Sequence, residues 1–255
     1  MLLLATLIFF TRLPIWRLTD VPAEDFKRVV PRWPIVGWLT SIVMALVLWL
    51  ASNVMPLTVA WILALLVRLI LTGCLHEDGL ADFFDGFGGG TSRERTLTIM
   101  KDSHIGTYGV IALIVYFALM LQLPAVISRD TLILVVLCGD CWSKCCAAQL
   151  INLLPYARTE ETAKNKTVYE RMSLGELLLC FFFGLAPAFV ITFALGWLPA
   201  HFLLLLLVPV VLMLLLALLM WRKIQGYTGD CCGATFLLCE LAFYFSVLIA
   251  FPFWG

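Results

Sequence analysis

Charge is scarce in this sequence. Only 13% of its 255 residues are Asp, Glu, Lys or Arg, while 62% are hydrophobic. Ordinary globular chains carry roughly 25% charged residues. A soluble domain of this length cannot bury so much apolar surface, so a water-soluble fold is excluded first. Formal net charge is zero, so bulk charge argues neither for nor against nucleic acid; the arrangement of the charges is the informative part, and no nucleic-acid partner is expected. A secretory leader is missing too. The apolar stretch from Met1 to Phe10 has no basic residues ahead of it and no small-residue cleavage site after it. It is also short of the ~20 residues a crossing requires, so it reads as a short interfacial or re-entrant helix. No internal repeat and no separate soluble domain are visible, and residues 1–255 are read as one integral-membrane domain. Nine cysteines are present, but no disulfide framework is implied. The Cys138, Cys141 and Cys145 stripe reads as small buried residues of a membrane helix.

The apolar runs fall at about 34–52, 57–75, 107–127, 131–154, 173–196, 201–221 and 233–253. This predicts an all-α, polytopic transmembrane bundle of about seven spans plus the short N-terminal interfacial helix, with the lipid bilayer as its surroundings. The connections alternate in character. Those at Ser52 to Pro56, around Arg129-Asp130 and at Gly196 to Ala200 are short and nearly free of bases. The others hold Arg12, Arg17, Lys27, Arg28, Arg32, Arg93, Arg95, Lys101, Arg158, Lys164, Lys166, Arg171, Arg222 and Lys223, fourteen of the seventeen Lys and Arg residues. Basic loops mark the cytoplasmic side. The loops at 76–106, 155–172 and 222–232 are therefore expected in the cytoplasm and the C-terminus outside.

Carboxylates gather where the second run ends, in Leu75-His76-Glu77-Asp78-Gly79-Leu80-Ala81-Asp82-Phe83-Phe84-Asp85-Gly86. Asp78, Asp82 and Asp85 stand at i, i+4 and i+7, on one helical face within a spread of roughly 60°. At ~6 Å and an effective dielectric near 20, each neighbouring pair costs on the order of 3 kcal/mol, and a membrane boundary raises that cost. A hard divalent cation removes the penalty. Oxygen-only ligands suit Mg²⁺ or Mn²⁺. Because Mg²⁺ usually takes one or two carboxylates plus substrate phosphates, the pattern points to a phosphorylated or pyrophosphorylated substrate. The competing reading is a solvated acidic helix end.

Gly86-Phe87-Gly88-Gly89-Gly90 lacks the Lys-Ser/Thr of a phosphate-binding P-loop and the strand of a dinucleotide fold; it reads as a hinge. Thr91 or Ser92 can cap a following helix that carries Arg93, Arg95 and Lys101, bases able to grip phosphate or simply to set topology. Asp102 beyond them can complete a cation site with Asp78, Asp82 and Asp85. A third polar island, Arg222 to Asp230, places Thr228, Gly229 and Asp230 on the same side, where glycine permits close backbone approach to a ligand. Glu240 lies deeper in the last run. Asp140 and Lys144, at i and i+4, are expected to pair.

These islands resemble the adenosylcobinamide-GDP ribazoletransferase, or cobalamin synthase, family. The residues carrying the resemblance are Thr11-Arg12-Leu13-Pro14, Thr72-Gly73, His76-x-Asp78-Gly79-Leu80-Ala81-Asp82-x-x-Asp85-Gly86, Arg93-x-Arg95, Ile99 to Ser103, Gly106-Thr107-x-Gly109, Tyr156-Ala157-Arg158, and Gly226-x-Thr228-Gly229-Asp230-x-x-Gly233-Ala234 with Glu240. The sequence departs from the family at Ser143-Lys144, where Ser-Arg is usual, and in the polar stretch Thr159 to Lys166. The resemblance implies a Mg²⁺-dependent transferase of a bacterial inner membrane, its site facing the cytoplasm. It would join adenosylcobinamide-GDP to α-ribazole or its 5′-phosphate and release GMP. Asp78, Asp82, Asp85 and Asp102 would hold metal. Asp82, Asp85 or His76 would serve catalysis, one of them taking the hydroxyl proton. Arg93, Arg95, Lys101, Arg158, Thr228, Gly229 and Asp230 would bind substrate. Two rivals remain at this stage. A CDP-alcohol phosphotransferase uses a similar acidic helix but has Ala-Arg where Phe87-Gly88 follows here. A cation transporter would place its ligands near the bilayer midplane in repeated halves.

Overall fold

The computed structural model describes residues 1–159, 168–195 and 199–250. The expected polar loop from Thr159 to Lys166 lies, beyond Thr159, outside the described residues. So do positions 196–198 of the expected turn at Gly196 to Ala200 and the last three positions of the final expected span. The described chain is a helical bundle. A nine-residue α1 (Leu2–Phe10) and three 3₁₀ turns (Pro14–Arg17, Ala23–Arg28 and Val30–Arg32) lead into α2 (Trp33–Ala51). Then come α3 (Leu57–Thr72), α4 (Leu75–Gly89), α5 (Arg93–Ile99), α6 (Thr107–Val126), α7 (Arg129–Ala148), α8 (Leu150–Leu153), α9 (Leu174–Leu195), α10 (Pro199–Ile224) and α11 (Gly229–Ala250).

Among the described residues six helices are long and apolar enough to cross a bilayer unbroken; the pair α3 and α4, bent by 87°, meets the same test only when its two arms are taken together. The expected run at 57–75 thus stops early. Gly73 and Cys74 both adopt left-handed backbone, with φ of 64° and 57°, which ends α3 and starts α4 in a new direction. A side chain at Cys74 is unusual in that conformation. The Arg12 side chain packs over Gly73, and the Arg12 amide donates to the Leu71 carbonyl at 2.7 Å. The polar segment after α1 therefore braces the bend.

Lipid contact and burial divide the spans. Of the apolar window of α7, 83% is buried, and 78% of that of α11, against 28% for α6 and α10. Thus α7 and α11 form the middle, while α6, α9 and α10 turn large apolar side chains such as Ile114, Phe182 and Leu215 outward. Helix α11 packs against α4, α7 and α10, and α2 against α3 and α7.

Two polar clusters lie inside this apolar bundle. The Arg68 guanidinium on α3, 1% exposed, donates from Nη1 to both oxygens of Glu240 on α11 at 2.6 and 2.8 Å. Its Nη2 donates to Tyr116 Oη at 2.9 Å, and the Tyr116 hydroxyl donates onward to Glu240 Oε2 at 3.0 Å. Glu77 of α4 stands 3.8 Å from the same guanidinium. Four helices are joined at one point. In the second cluster Lys144 pairs with Asp140, as expected, and Thr40 Oγ1 donates to Asp140 at 3.0 Å. The Phe236 ring separates the clusters, with Lys144 Nζ 4.1 Å from its centroid. Charges at this depth are costly unless paired; the Arg68–Glu240 pair joins α3 to α11, while Lys144 and Asp140 stand one turn apart on α7 and are tied to α2 through Thr40.

The glycine run is not a hinge. Helix α4 continues through Gly89, and the glycines serve packing instead. A Cβ on Gly88 would lie 2.7 Å from the Tyr108 ring, so its absence lets α6 approach α4.

Candidate functional site

The bend after α3 aims the first turn of α4 at the first turn of α11. A Cβ on Gly79 would stand 3.0 Å from the Asp230 carbonyl oxygen, so the two helices touch backbone to backbone there. Between them opens a cavity of about 140 Å³. His76 and Asp78 line it from α4; Thr228, Gly229 and Asp230 line it from the start of α11; Arg158 closes another side. Thr228 caps α11, its hydroxyl accepting the Cys231 amide at 3.3 Å. Two helix N-termini thus turn the positive ends of their dipoles toward one space, the usual setting for an anionic oxygen.

The loop carrying Tyr156 and Arg158 is fastened to the loop before α11. The Ala157 amide donates to the Tyr227 carbonyl at 2.8 Å and the Tyr227 amide to the Pro155 carbonyl at 3.0 Å. Gly226 makes this possible, since a Cβ there would come within 2.5 Å of the Pro155 oxygen. Gly226→Ala is expected to destabilise the protein by about 1–3 kcal/mol, as overpacking does, read from unfolding in detergent. A change below 0.5 kcal/mol would show that the clip is not required. Burial, and then Asp230 nearby, push the Tyr156 phenol up to about 12. It stays protonated near neutrality and acts as a donor, not a base.

Beside the cavity, and sharing Tyr156 and Arg158 with it, runs an open groove of about 890 Å³ lined by Arg93, Lys101, Asp102 and Ala157. Its bases are unequal. Arg93 is already engaged, donating to the Ile224 and Ala157 carbonyls at 2.9 and 2.8 Å, and so holds α5 against the two clipped loops. Arg158 donates to the Leu97 carbonyl at 2.7 Å. Lys101 and Arg95 are exposed, and Arg95 does not line the groove. Ser92 caps α5 by accepting the Arg95 amide at 3.1 Å, as its sequence position suggested.

The four acids expected together are distributed. Asp78 is exposed on the cavity wall, and Asp82, one turn on, is buried. The Asp85 carboxylate accepts the Gly106 amide at 2.7 Å and the Gly109 amide at 2.9 Å; it anchors the start of α6. Asp102 stands on the exposed loop, where the His104 side chain at 2.7 Å, and then its amide, hold the carboxyl below the usual carboxylate range. Among the described residues no three His, Cys, Asp or Glu side chains converge as a cation site of their own. Asp78 and Asp230 instead offer oxygen ligands across one cavity, an arrangement that suits an ion taking its remaining ligands from phosphate.

His76 is buried, and neither ring nitrogen has a hydrogen-bond partner among the described residues. Its ring stacks on Trp33 with centroids 5.5 Å apart. Sequence reasoning missed the aromatic wall of the cavity, namely Phe9, Phe10, Trp33, Tyr156 and Tyr169. It also missed Arg68, although a lone Arg in an apolar run is a signal in itself.

Comparison with known proteins agrees with this architecture. The family described as CobS, cobalamin-5-phosphate synthase, matches residues 2–248. A protein of Shewanella sp. (strain W3-18-1), named adenosylcobinamide-GDP ribazoletransferase, is 38% identical over 97% of this chain and 94% of its own length. Its namesake from Shewanella oneidensis is 35% identical over 94% of this chain and 91% of its own. No solved structure matches.

Proposed function

The chain belongs to the cobalamin-5-phosphate synthase family, and on that premise we propose that it transfers the cobinamide phosphoryl group of adenosylcobinamide-GDP to a ribose hydroxyl of α-ribazole or its 5′-phosphate, releasing GMP. The observation that carries this reading is the meeting of two helix N-termini, two carboxylates and Arg158 around one cavity beside a basic groove. In the reaction the hydroxyl oxygen bonds to the phosphorus bearing the cobinamide, and the bond from that phosphorus to the GMP oxygen breaks. Charge builds on phosphate oxygens, and fixed donors aimed there supply the largest share of catalysis. The positive ends of the α4 and α11 dipoles, with Arg158, face that charge. The hydroxyl proton passes to Asp82 or to His76, behind the metal-holding carboxylates.

Mg²⁺ is the proposed cofactor, held by Asp78 and Asp230 with Asp82 behind them. When bound it neutralises the diphosphate and the departing phosphate. Asp85 then serves by fixing α6, and Asp102 with Lys101 by bordering the groove. Purified protein in detergent is expected to release GMP from adenosylcobinamide-GDP only when α-ribazole and Mg²⁺ are both present, and to leave CDP-alcohols untouched. GMP release independent of α-ribazole would reject the transfer.

The donor's diphosphate is placed in the groove. Lys101→Gln is expected to raise the donor KM about 10-fold, one charge-assisted contact being worth roughly 1.5–3 kcal/mol, with the acceptor KM unchanged. Equal KM values in variant and parent would leave Lys101 only a topological role.

We also place the protein in a bacterial inner membrane with this site in the cytoplasm. Ser103, exposed between α5 and α6, provides the check. Cysteine placed there should react with an impermeant thiol reagent in inverted vesicles and not in intact cells. The reverse pattern would overturn the orientation.

A further inference from the structure

The wall of the cavity away from its acids is chemically unlike the rest of the site. Phe9 and Phe10 come from α1, Trp33 from the start of α2, and Tyr156 and Tyr169 from the loop side. Phe10 and Trp33 lie parallel, centroids 4.8 Å apart and planes 6° apart. Tyr169 meets Phe9 edge-on at 5.9 Å and Tyr156 edge-on at 6.2 Å. Such walls take flat rings by stacking and by edge contact. The space, about 140 Å³, is near the ~150 Å³ that accommodates one benzene. It has room for one six-membered ring, such as the benzo edge of a fused bicycle, and none for a corrin macrocycle.

We propose that this cavity is the subsite for the acceptor's base. The inference rests on the transfer reaction given above. The benzimidazole of the acceptor sits among the aromatic side chains, and its ribose reaches the rim at Asp78, Thr228 and Asp230. The donor's diphosphate then approaches from the groove past Arg158. Size excludes the donor's macrocycle. The donor's guanine has a similar outline, but Phe9, Phe10 and Trp33 offer its amine, carbonyl and ring N–H no partner, and each group left unmatched against them costs about 1–3 kcal/mol; the polar residues His76, Asp78 and Asp230 make guanine the competing occupant that the kinetics must separate. Benzimidazole carries a single unsubstituted ring nitrogen and otherwise apolar edges, so it loses little there. The arrangement also explains why α1, too short to cross the membrane, is folded back onto α2. It supplies two of the five rings.

The experiment uses two variants that act on opposite features. Phe9→Ala removes one wall. Gly229→Val fills the cavity; the Cβ it adds would meet only Tyr169 Oη, at 3.9 Å. Steady-state kinetics with both substrates varied, and equilibrium dialysis of radiolabelled α-ribazole without donor, are measured on protein in detergent. The expected result is a KM for α-ribazole raised at least ~10-fold in both variants, weaker ribazole binding in dialysis, and a donor KM within about twofold of the parent. A raised donor KM with an unchanged ribazole KM would overturn the proposal and place guanine in the cavity. Unchanged kinetics in both variants would overturn it as well. Failure of the parent protein to turn over the two substrates would reject the reaction, not the subsite. Dialysis then still decides, because ribazole binding lost in Gly229→Val supports the subsite and absence of ribazole binding to the parent overturns it.

Discussion

Asp78→Asn is expected to lower the rate of GMP release at saturating substrates by at least ~100-fold, the usual loss when one electrostatic contact to a phosphoryl transition state is removed. Asn keeps the shape of the side chain and removes its charge. Asp78 lies in the first turn of α4 on the exposed wall of the cavity, one helical turn from Asp82 and across from Asp230. Removing one of three neighbouring negative charges relieves repulsion, so the melting temperature in detergent should not fall. Asp85→Asn supplies the contrast. That carboxylate accepts two α6 amides, and an amide side chain can accept at only one of its two positions. Its variant should lose stability along with activity. Near-normal turnover by Asp78→Asn, with normal folding, would remove Asp78 from the chemistry.

Glu240→Gln should be the most destabilising single change in the membrane interior, by about 3–5 kcal/mol, because it leaves a buried guanidinium short of its counter-charge. Arg68 is 1% exposed and Glu240 fully buried, and the bonds between them join α3 to α11 while Tyr116 draws in α6. Unfolding of the purified protein by heat or by detergent titration measures the loss. The double variant Arg68→Met, Glu240→Leu should recover most of it, since replacing both partners by apolar groups removes the unpaired charge. If Glu240→Gln melts within about 0.5 kcal/mol of the parent, Glu77, 3.8 Å from the guanidinium, is sufficient as counter-ion.

Much of this architecture could be read from the order of residue types. The apolar runs located the six unbroken spans, Thr91 or Ser92 was recognisable as a cap, and the i, i+4 spacing paired Asp140 with Lys144. Local rules suffice where partners are near in sequence. The glycine run and the metal set show where such rules stop. Gly86 to Gly90 was read as a hinge because nothing in the sequence tells that Met100 and Tyr108 pack into the space those residues leave. Asp85 shares a helical face with Asp78, yet the start of α6, two dozen residues away, takes its oxygens. Asp230 faces Asp78 only because α11 crosses α4 at Gly79. The aromatic cavity was invisible for the same reason, its rings being drawn from four separate segments. Arg68 and Glu240 are 172 positions apart; each was open to recognition as an unusual intramembrane charge, but their partnership was not.

The break at Gly73 and Cys74 also changes the lipid around the enzyme. With 16 residues at ~1.5 Å each, α3 is about 24 Å long, whereas a hydrocarbon core is about 30 Å thick. The bend comes about 6 Å short of that thickness, whereas the 20-residue α6 reaches it unbroken. A bilayer that meets so short a helix thins at a cost of a fraction of a kcal/mol per Å of mismatch. A thicker bilayer therefore presses most on α3, the helix that leads through the bend to Asp78 and Asp82.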